Sequence, residues 1–355
     1  MTKRFIFTFV FLIAFSFNLP LFAETKVGVI VPLSGALAEY GVAIRNGIQM
    51  AQKDNPELFA SCNFLYEDSK YDPKTAISAF NKLVSSDKIN IAYNFGGPTS
   101  AAIAPVASKT KTPSLLWTTD PSAVARYEYV IRFTNDAIEF TKSLANYLNS
   151  NNQKRLGVVI TENQYLNSIL NGLKTSLVPG QTLEVIDTVQ PSDTDFRSIV
   201  TKLQKNSYDS IGVFMLSGQI GQFYRQLQQQ NKLTATFGTD FFESSTEIKS
   251  AEGGMNGAVY TNNTVPSSFA QKYKSLYGND LQLTYAGNGY DFATLACRTL
   301  AKQQSAEGIM SILEAAENRS GVLGNYNFIK TAAGDKFFRF PVAVKKIEGS
   351  EFKDL

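Results

Sequence analysis

The apolar run Ile89 to Phe95 ends in Gly96-Gly97-Pro98-Thr99-Ser100, and here the chain first gathers residue types suited to binding chemistry. The pattern reads as a β-strand, a Gly-Gly-Pro turn and a helix opened by Thr99 and Ser100. A hydroxyl at a helix start can accept the unpaired N–H groups of the first turn. Glycine lets backbone approach a ligand with no Cβ in the way. Those N–H groups, with the positive end of the helix dipole, suit a carboxylate or another anion. A second chemical group is Asp240, at a strand end before a helical stretch, where it serves either a ligand or a helix cap. Glu67-Asp68 looks like a catalytic pair, but adjacent residues on a strand point to opposite faces, so the pair reads as structural.

The chain has no histidine, which excludes Ser-His-Asp and Cys-His constellations. Cys62 and Cys297 alone offer no zinc ligand set, and no Gly-x-x-x-x-Gly-Lys-Ser/Thr stretch is present to cradle phosphate. The expectation is a binding protein without catalytic residues, cofactor or metal. Cys62 falls in a strand-like run and Cys297 in a helix-like one, and two buried thiols are expected there rather than a bridge.

Several elements must position these groups. Apolar β-runs alternate with amphipathic helical stretches, the signature of parallel sheet. Lys26 to Val31, Asn63 to Glu67, the run before Gly96 and Pro113 to Trp117 read as strands. Helical spacing covers Tyr40 to Gln52, Pro73 to Ser85 and Ser100 to Ser108. From about residue 155 the programme repeats. Leu156-Gly157-Val158-Val159-Ile160 echoes Val27-Gly28-Val29-Ile30, and Tyr40 and Tyr165 each precede an Asn-Gly pair by 6 positions. Lys82-Leu83 and Lys202-Leu203, like Thr119-Asp120 and Thr239-Asp240, lie 120 residues apart. Two α/β lobes follow from this order. Ligands of such sheets bind outside the carboxyl ends of the strands, which places Tyr40, Gly97 to Ser100 and Thr118 to Asp120 opposite Tyr165, Ser217-Gly218 and Asp240.

The first 23 residues have the layout of a secretory signal peptide: Lys3 and Arg4, an apolar run from Phe5 to Phe17, and Leu21-Phe22-Ala23 before the expected cut. The remaining 332 residues carry a formal charge of +1, since Lys3 and Arg4 leave and no acid does. Nucleic acid and anionic membrane are therefore poor partners.

These residues carry a resemblance. Val27-Gly28-Val29-Ile30-Val31-Pro32-Leu33-Ser34-Gly35 with Tyr40-Gly41, Glu67-Asp68 through Asp72-Pro73, Asp195-Phe196, Gly238-Thr239-Asp240 and Gly289-Tyr290-Asp291 resemble the type I periplasmic solute-binding proteins of branched-chain amino-acid ABC transporters. The resemblance implies two Rossmann-like lobes joined by three hinge crossings, near Arg132 to Thr134, Thr261 to Pro266 and Asp335 to Phe338. It divides the chain into 24–133 with 266–336, and 134–265 with 337–355. It also implies a monomer in the periplasm that serves an inner-membrane ABC permease and binds a small amino acid, branched-chain or similarly apolar. Gly97, Pro98, Thr99 and Ser100 match the groups that hold the ligand carboxylate, with Thr118 and Thr119 as its second anchor. Asp240 matches the acid that takes the ammonium, and Tyr40, Tyr165 and Tyr285 match aromatic walls. The sequence departs from the family in Pro98-Thr99-Ser100, where a Ser-Ser run is usual, in Leu166, where Gly is usual, and in Trp117. The same fold also serves ligand sensors, and a short amide or an aromatic carboxylate are the alternative solutes.

Overall fold

Strands form where β-branched and aromatic residues run together, and helices where apolar residues recur at helical spacing. The computed structural model describes residues 24–229, 235–280 and 282–355, so the signal-peptide reading falls outside the described residues. The first half of the chain runs β1 (Thr25–Val31), α1 (Ala38–Asp54), α2 (Pro56–Phe59), β2 (Cys62–Asp68), α3 (Pro73–Lys82), β3 (Ile91–Phe95), α4 (Gly97–Lys109), β4 (Ser114–Trp117) and β5 (Val130–Arg132). The second runs α5 (Ala137–Ser150), β6 (Arg155–Thr161), α6 (Gln164–Ser176), β7 (Thr182–Val189), α7 (Arg197–Lys205), β8 (Ser210–Phe214), α8 (Ile220–Gln229), β9 (Ala235–Gly238), α9 (Ser245–Ser250) and β10 (Val259–Asn262). Parallel strands pair in the order β2-β1-β3-β4-β5 in one sheet and β7-β6-β8-β9-β10 in the other. The internal repeat is therefore a repeat of topology.

The chain then returns to the first lobe through α10 (Ser267–Tyr277), α11 (Leu283–Leu300) and α12 (Ala306–Leu313). Strands β11 (Asn318–Gly321), β12 (Gly324–Lys330) and β13 (Lys336–Arg339) extend the first sheet beyond β5, and β14 (Ala343–Glu348) with β15 (Glu351–Asp354) extends the second beyond β10. The third crossing thus lies at 340–342, not at Asp335 to Phe338, and residues 337–339 belong with the first sheet. Pro341 explains the shift, because it has no N–H to carry one ladder through the apolar run. Two asparagines tie the crossings together. Asn135, after β5, accepts from Phe340 N at 2.8 Å and donates to Phe340 O at 3.0 Å, while Asn263, after β10, donates to Pro341 O at 2.7 Å.

Helix α11 packs across α1. Its glycines are contact points, not breakers. A Cβ on Gly289 would meet Ile44 O at 2.3 Å, and one on Gly47 of α1 would meet Ala286 O at 1.8 Å. The close crossing carries Tyr40 of α1 and Tyr285 of α11 into the cleft, with ring centroids 5.0 Å apart. Gly47→Val should cost about 1–3 kcal/mol in urea unfolding and weaken ligand binding, since both tyrosines move with their helices. An unchanged midpoint would show that the crossing is loose.

Cys62 and Cys297 are not free thiols. They form a disulfide that joins β2 to α11 across 235 residues of sequence. The expectation failed because a strand and a helix so far apart in sequence meet only once α11 has returned to the first lobe. In the chain-entropy account a long closed loop restricts the unfolded ensemble most, so Cys62→Ser with Cys297→Ser should cost about 2–4 kcal/mol. Equal urea midpoints for the oxidised protein and the double variant would contradict this.

Candidate ligand-binding site

The site forms where β3, β4, β8 and β9 end. After Phe95 the chain turns at Gly96, whose φ of +118° suits glycine, and α4 begins at Gly97. The helix therefore starts earlier than expected, and its N-cap is Gly96 with no side-chain cap. Thr99 and Ser100 sit within the first turn, fully buried, and their hydroxyls turn toward the sheet. Thr99 Oγ1 donates to Phe95 O at 2.9 Å and Gly96 O at 3.1 Å, and Ser100 Oγ donates to Trp117 O at 3.3 Å. The Asn94 side-chain amide lies within 3.0 Å of the first hydroxyl and 2.9 Å of the second. The capping role read for these two hydroxyls is thus corrected, and α4 offers the cleft its backbone. The Gly97 N–H is directed at the Tyr71 hydroxyl, Gly97 is buried and Pro98 is half-buried beside it.

Asp240 stands at the facing edge. Thr239, not Asp240, caps the short 3-10 turn Asp240–Glu243 by accepting from Phe241 N at 3.3 Å. The Asp240 carboxylate is buried and accepts hydrogen bonds from the Tyr165 and Tyr285 hydroxyls. Burial pushes its pKa up to about 7; the Tyr165 hydroxyl opposes the rise and the Glu243 charge adds to it. The charged form is disfavoured because the two hydroxyls replace only part of the water it has lost.

Around this acid the aromatic side chains of both lobes close a cage. Tyr40 stacks on Phe95 at 5.9 Å, Phe95 meets Trp117 at 4.9 Å, Trp117 meets Tyr165 at 5.9 Å, Tyr165 meets Phe241 at 5.2 Å and Phe241 meets Tyr40 at 5.6 Å. Tyr285 lies inside this ring, 5.0 to 5.5 Å from Tyr40, Phe95 and Trp117. Trp117 is therefore a wall of the cage rather than part of one lobe's core, and Leu166 is fully buried in the second lobe. Among the sequence candidates, Tyr40, Tyr165, Asp240 and Tyr285 come together. Thr118 and Thr119 are buried at the edge, where Thr118 O accepts from Arg132 Nη1 at 3.3 Å and Thr119 Oγ1 lies 2.6 Å from Ser168 Oγ of the other lobe. Gln164 Nε2 bridges to Asp120 at 3.3 Å, and Tyr40 Oη reaches Ser217 Oγ at 3.5 Å, so the cleft is closed. Asp120 also caps the turn after it, accepting from Ser122 N.

Phe95, Phe241 and Tyr71 were not singled out by sequence reasoning. Phe241 directly follows Asp240, and that adjacency was the available signal. Tyr71 gave none, since it enters the site through a left-handed φ of 58°. Glu67 and Asp68 separate as expected: Glu67 pairs with Lys82, and Asp68 accepts from Leu33 N at 2.8 Å and Ser34 Oγ at 2.5 Å.

This geometry has close relatives in form. The chain is 26% identical over 252 residues to the Leu/Ile/Val-binding protein BraC3 of Rhizobium johnstonii, covering 68% of each chain. Its fold matches a leucine binding protein from Thermotoga maritima with a TM-score of 0.83 at 20% identity, covering 93% of this chain and 97% of that one. It also matches a solute binding protein of an ABC transporter from Rhodopseudomonas palustris in complex with 3,4-dihydroxy benzoic acid, with a TM-score of 0.79 at 19% identity over 93% and 95% of the two chains. Residues 24–349 match the family described as periplasmic binding protein, and with two lobes closing on a buried cleft the chain belongs to that family.

Proposed function

We propose that the protein binds a small α-amino acid in the interlobe cleft and delivers it from the periplasm to an inner-membrane ABC permease. The observation that carries this reading is Asp240: a buried carboxylate in an aromatic cage, with no lysine or arginine among the causes that set its pKa. A ligand ammonium would supply the missing cation. It would take the place of the Tyr165 and Tyr285 hydroxyls on the acid, and a charge-assisted bond there is the stronger kind. The ligand carboxylate would meet the first turn of α4, taking the Gly97 N–H in place of the Tyr71 hydroxyl, where the helix dipole favours an anion. Tyr40, Trp117, Tyr165 and Tyr285 would wall the side chain. Because the two anchors sit on different lobes, a bridging ligand has more contacts in the closed form and shifts the population toward it. The relatives' leucine, isoleucine and valine are the reference solutes.

A second reading is an aromatic carboxylate. The all-aromatic wall and an Asp240 that is partly neutral near pH 7 favour it. Thermal melting of residues 24–355 against amino acids, short amides and aromatic acids separates the two. A ligand at 100 times its Kd should stabilise by about 2.7 kcal/mol and raise the melting midpoint by several degrees. A shift with amino acids supports the proposal. A shift with benzoates alone would transfer the assignment to aromatic acids, and a flat panel would remove both solute classes. Trp117 is the only tryptophan of the chain and lies in the cage, so its fluorescence gives an independent titration.

A further inference from the structure

Behind Asp240 the cleft ends in a small cavity of about 10 Å³ between Trp117, Phe140, Tyr165 and Ile169 on its apolar side and Thr261 and Asn262 on the hinge side. A space of about 10–15 Å³ on this measure holds a single water-sized atom. Asn262 is the last residue of β10, where the chain leaves the second sheet, and it is 3% exposed. Its Oδ1 accepts from Asn263 N at 2.9 Å, which fixes which way the amide faces. Its Nδ2 is buried and donates to no atom among the described residues. Three other polar groups of this wall are already engaged: Asp240 with Tyr165 and Tyr285, Thr239 with Phe241 N, and Thr141 Oγ1 with Ala137 O at 2.7 Å. A buried donor left without an acceptor is uncommon and costly, and the residue that carries this one lines a space the size of one oxygen atom.

We infer that Asn262 determines specificity: the ligand side chain extends past Asp240 and places a hydrogen-bond acceptor on Asn262 Nδ2. The inference rests on the amino-acid reading and narrows it. The preferred solute combines an apolar stem, which the cavity walls accept, with one acceptor at its end. A purely aliphatic side chain that ends in this space leaves the amide unmatched. A site built to hydrogen-bond a substrate group discriminates strongly against the analogue that lacks it, whereas an apolar pocket discriminates weakly.

The test uses near-isosteric pairs: valine and threonine, leucine and asparagine, phenylalanine and tyrosine. Each is titrated into the wild-type protein and into Asn262→Leu, with calorimetry and Trp117 fluorescence as readouts. In at least one pair the acceptor-bearing member should bind about tenfold or more tightly to the wild type, and Asn262→Leu should remove that preference. Equal or tighter binding of the apolar member in every pair overturns the inference and leaves the amino-acid reading intact. So does a preference that survives in Asn262→Leu, because the discrimination then lies elsewhere. If no amino acid binds at all, the functional reading falls and takes this inference with it. The wild-type comparison decides the matter even if the variant does not fold.

Discussion

Asp240→Asn should weaken binding of an α-amino acid by about a hundredfold at pH 8 and flatten the dependence of affinity on pH. An asparagine can accept a hydrogen bond from an ammonium but offers it no charge, and removing one partner of a desolvated charge pair costs about 2–5 kcal/mol. The pH effect follows from the ligand-free pKa of about 7. An ammonium-bearing ligand binds the ionised acid, so wild-type affinity should rise with pH up to about 7 and level off above it. Below that value it should fall about tenfold per pH unit, as one proton competes with the ligand. Calorimetry in buffers of different ionisation enthalpy should detect proton release near pH 7 in the wild type and none from this site in the variant. A variant that keeps wild-type affinity, or a wild type with flat affinity from pH 5 to 8, would exclude Asp240 as the ammonium partner.

Stability responds in the opposite sense to that of a salt-bridged carboxylate. The Asp240 pKa is raised from its ordinary 3.8, so the unfolded chain gives up its proton first as pH increases. The resulting loss of folded stability begins near pH 4 and is complete a little above pH 7. Asp291 moves the same way, to about 7, because burial outweighs the bonds it accepts from Val322 N at 2.6 Å and Leu323 N at 3.0 Å. Asp291 lies away from the cage. Ligand-free Asp240→Asn should therefore show a shallower decline of melting midpoint between pH 4 and 7, while the Asp291 contribution persists.

What the sequence disclosed follows from the range over which each feature is encoded. The two sheets were legible because buried parallel strands are apolar throughout, and because β1 and β6 repeat the same glycine-containing run. Asp240 stood out for the same reason, as the partner of Asp120 in the repeat. The tyrosines at positions 40 and 165 kept matched spacing and do share one cage. Features that depend on late tertiary contact were not legible. The Cys62–Cys297 bridge needs α11 to return to the first lobe. The packing role of Gly287 and Gly289 was equally hidden: a Cβ on Gly289 would strike α1 backbone and one on Gly287 would lie 2.5 Å from Leu323. The Thr99 and Ser100 hydroxyls looked available because sequence shows a residue's type and not its rotamer. Arg132 and Asp335 were each placed at a crossing, and the bond between them was invisible across 203 residues.

That bond supports the second large effect. Arg132 ends β5 fully buried, and its guanidinium grips Asp335 through Nε at 3.1 Å and Nη2 at 2.5 Å. Its third nitrogen holds Thr118 O, Asp136 Oδ2 lies 4.0 Å away, and the Phe337 ring centroid lies 4.8 Å from the guanidinium carbon. Arg132→Met keeps the apolar stem but leaves Asp335 buried without its cation, which should cost about 3–5 kcal/mol. For a chain of this size the melting midpoint should fall by about 4–7 °C. Lysine should rescue only part of the loss, because a single ammonium cannot reproduce the planar two-pronged contact. Arg132→Met with Asp335→Asn should be less destabilised than the sum of the single variants, since the second change removes the stranded charge. Additive costs would mean that Arg132 stabilises the fold through packing alone. Coupling would place the charge pair itself at the junction where β5 and, later, β13 each hand the chain to the second lobe. Since the same guanidinium anchors the Thr118 carbonyl at the edge of the cage, the coupled variant should also report in Trp117 fluorescence.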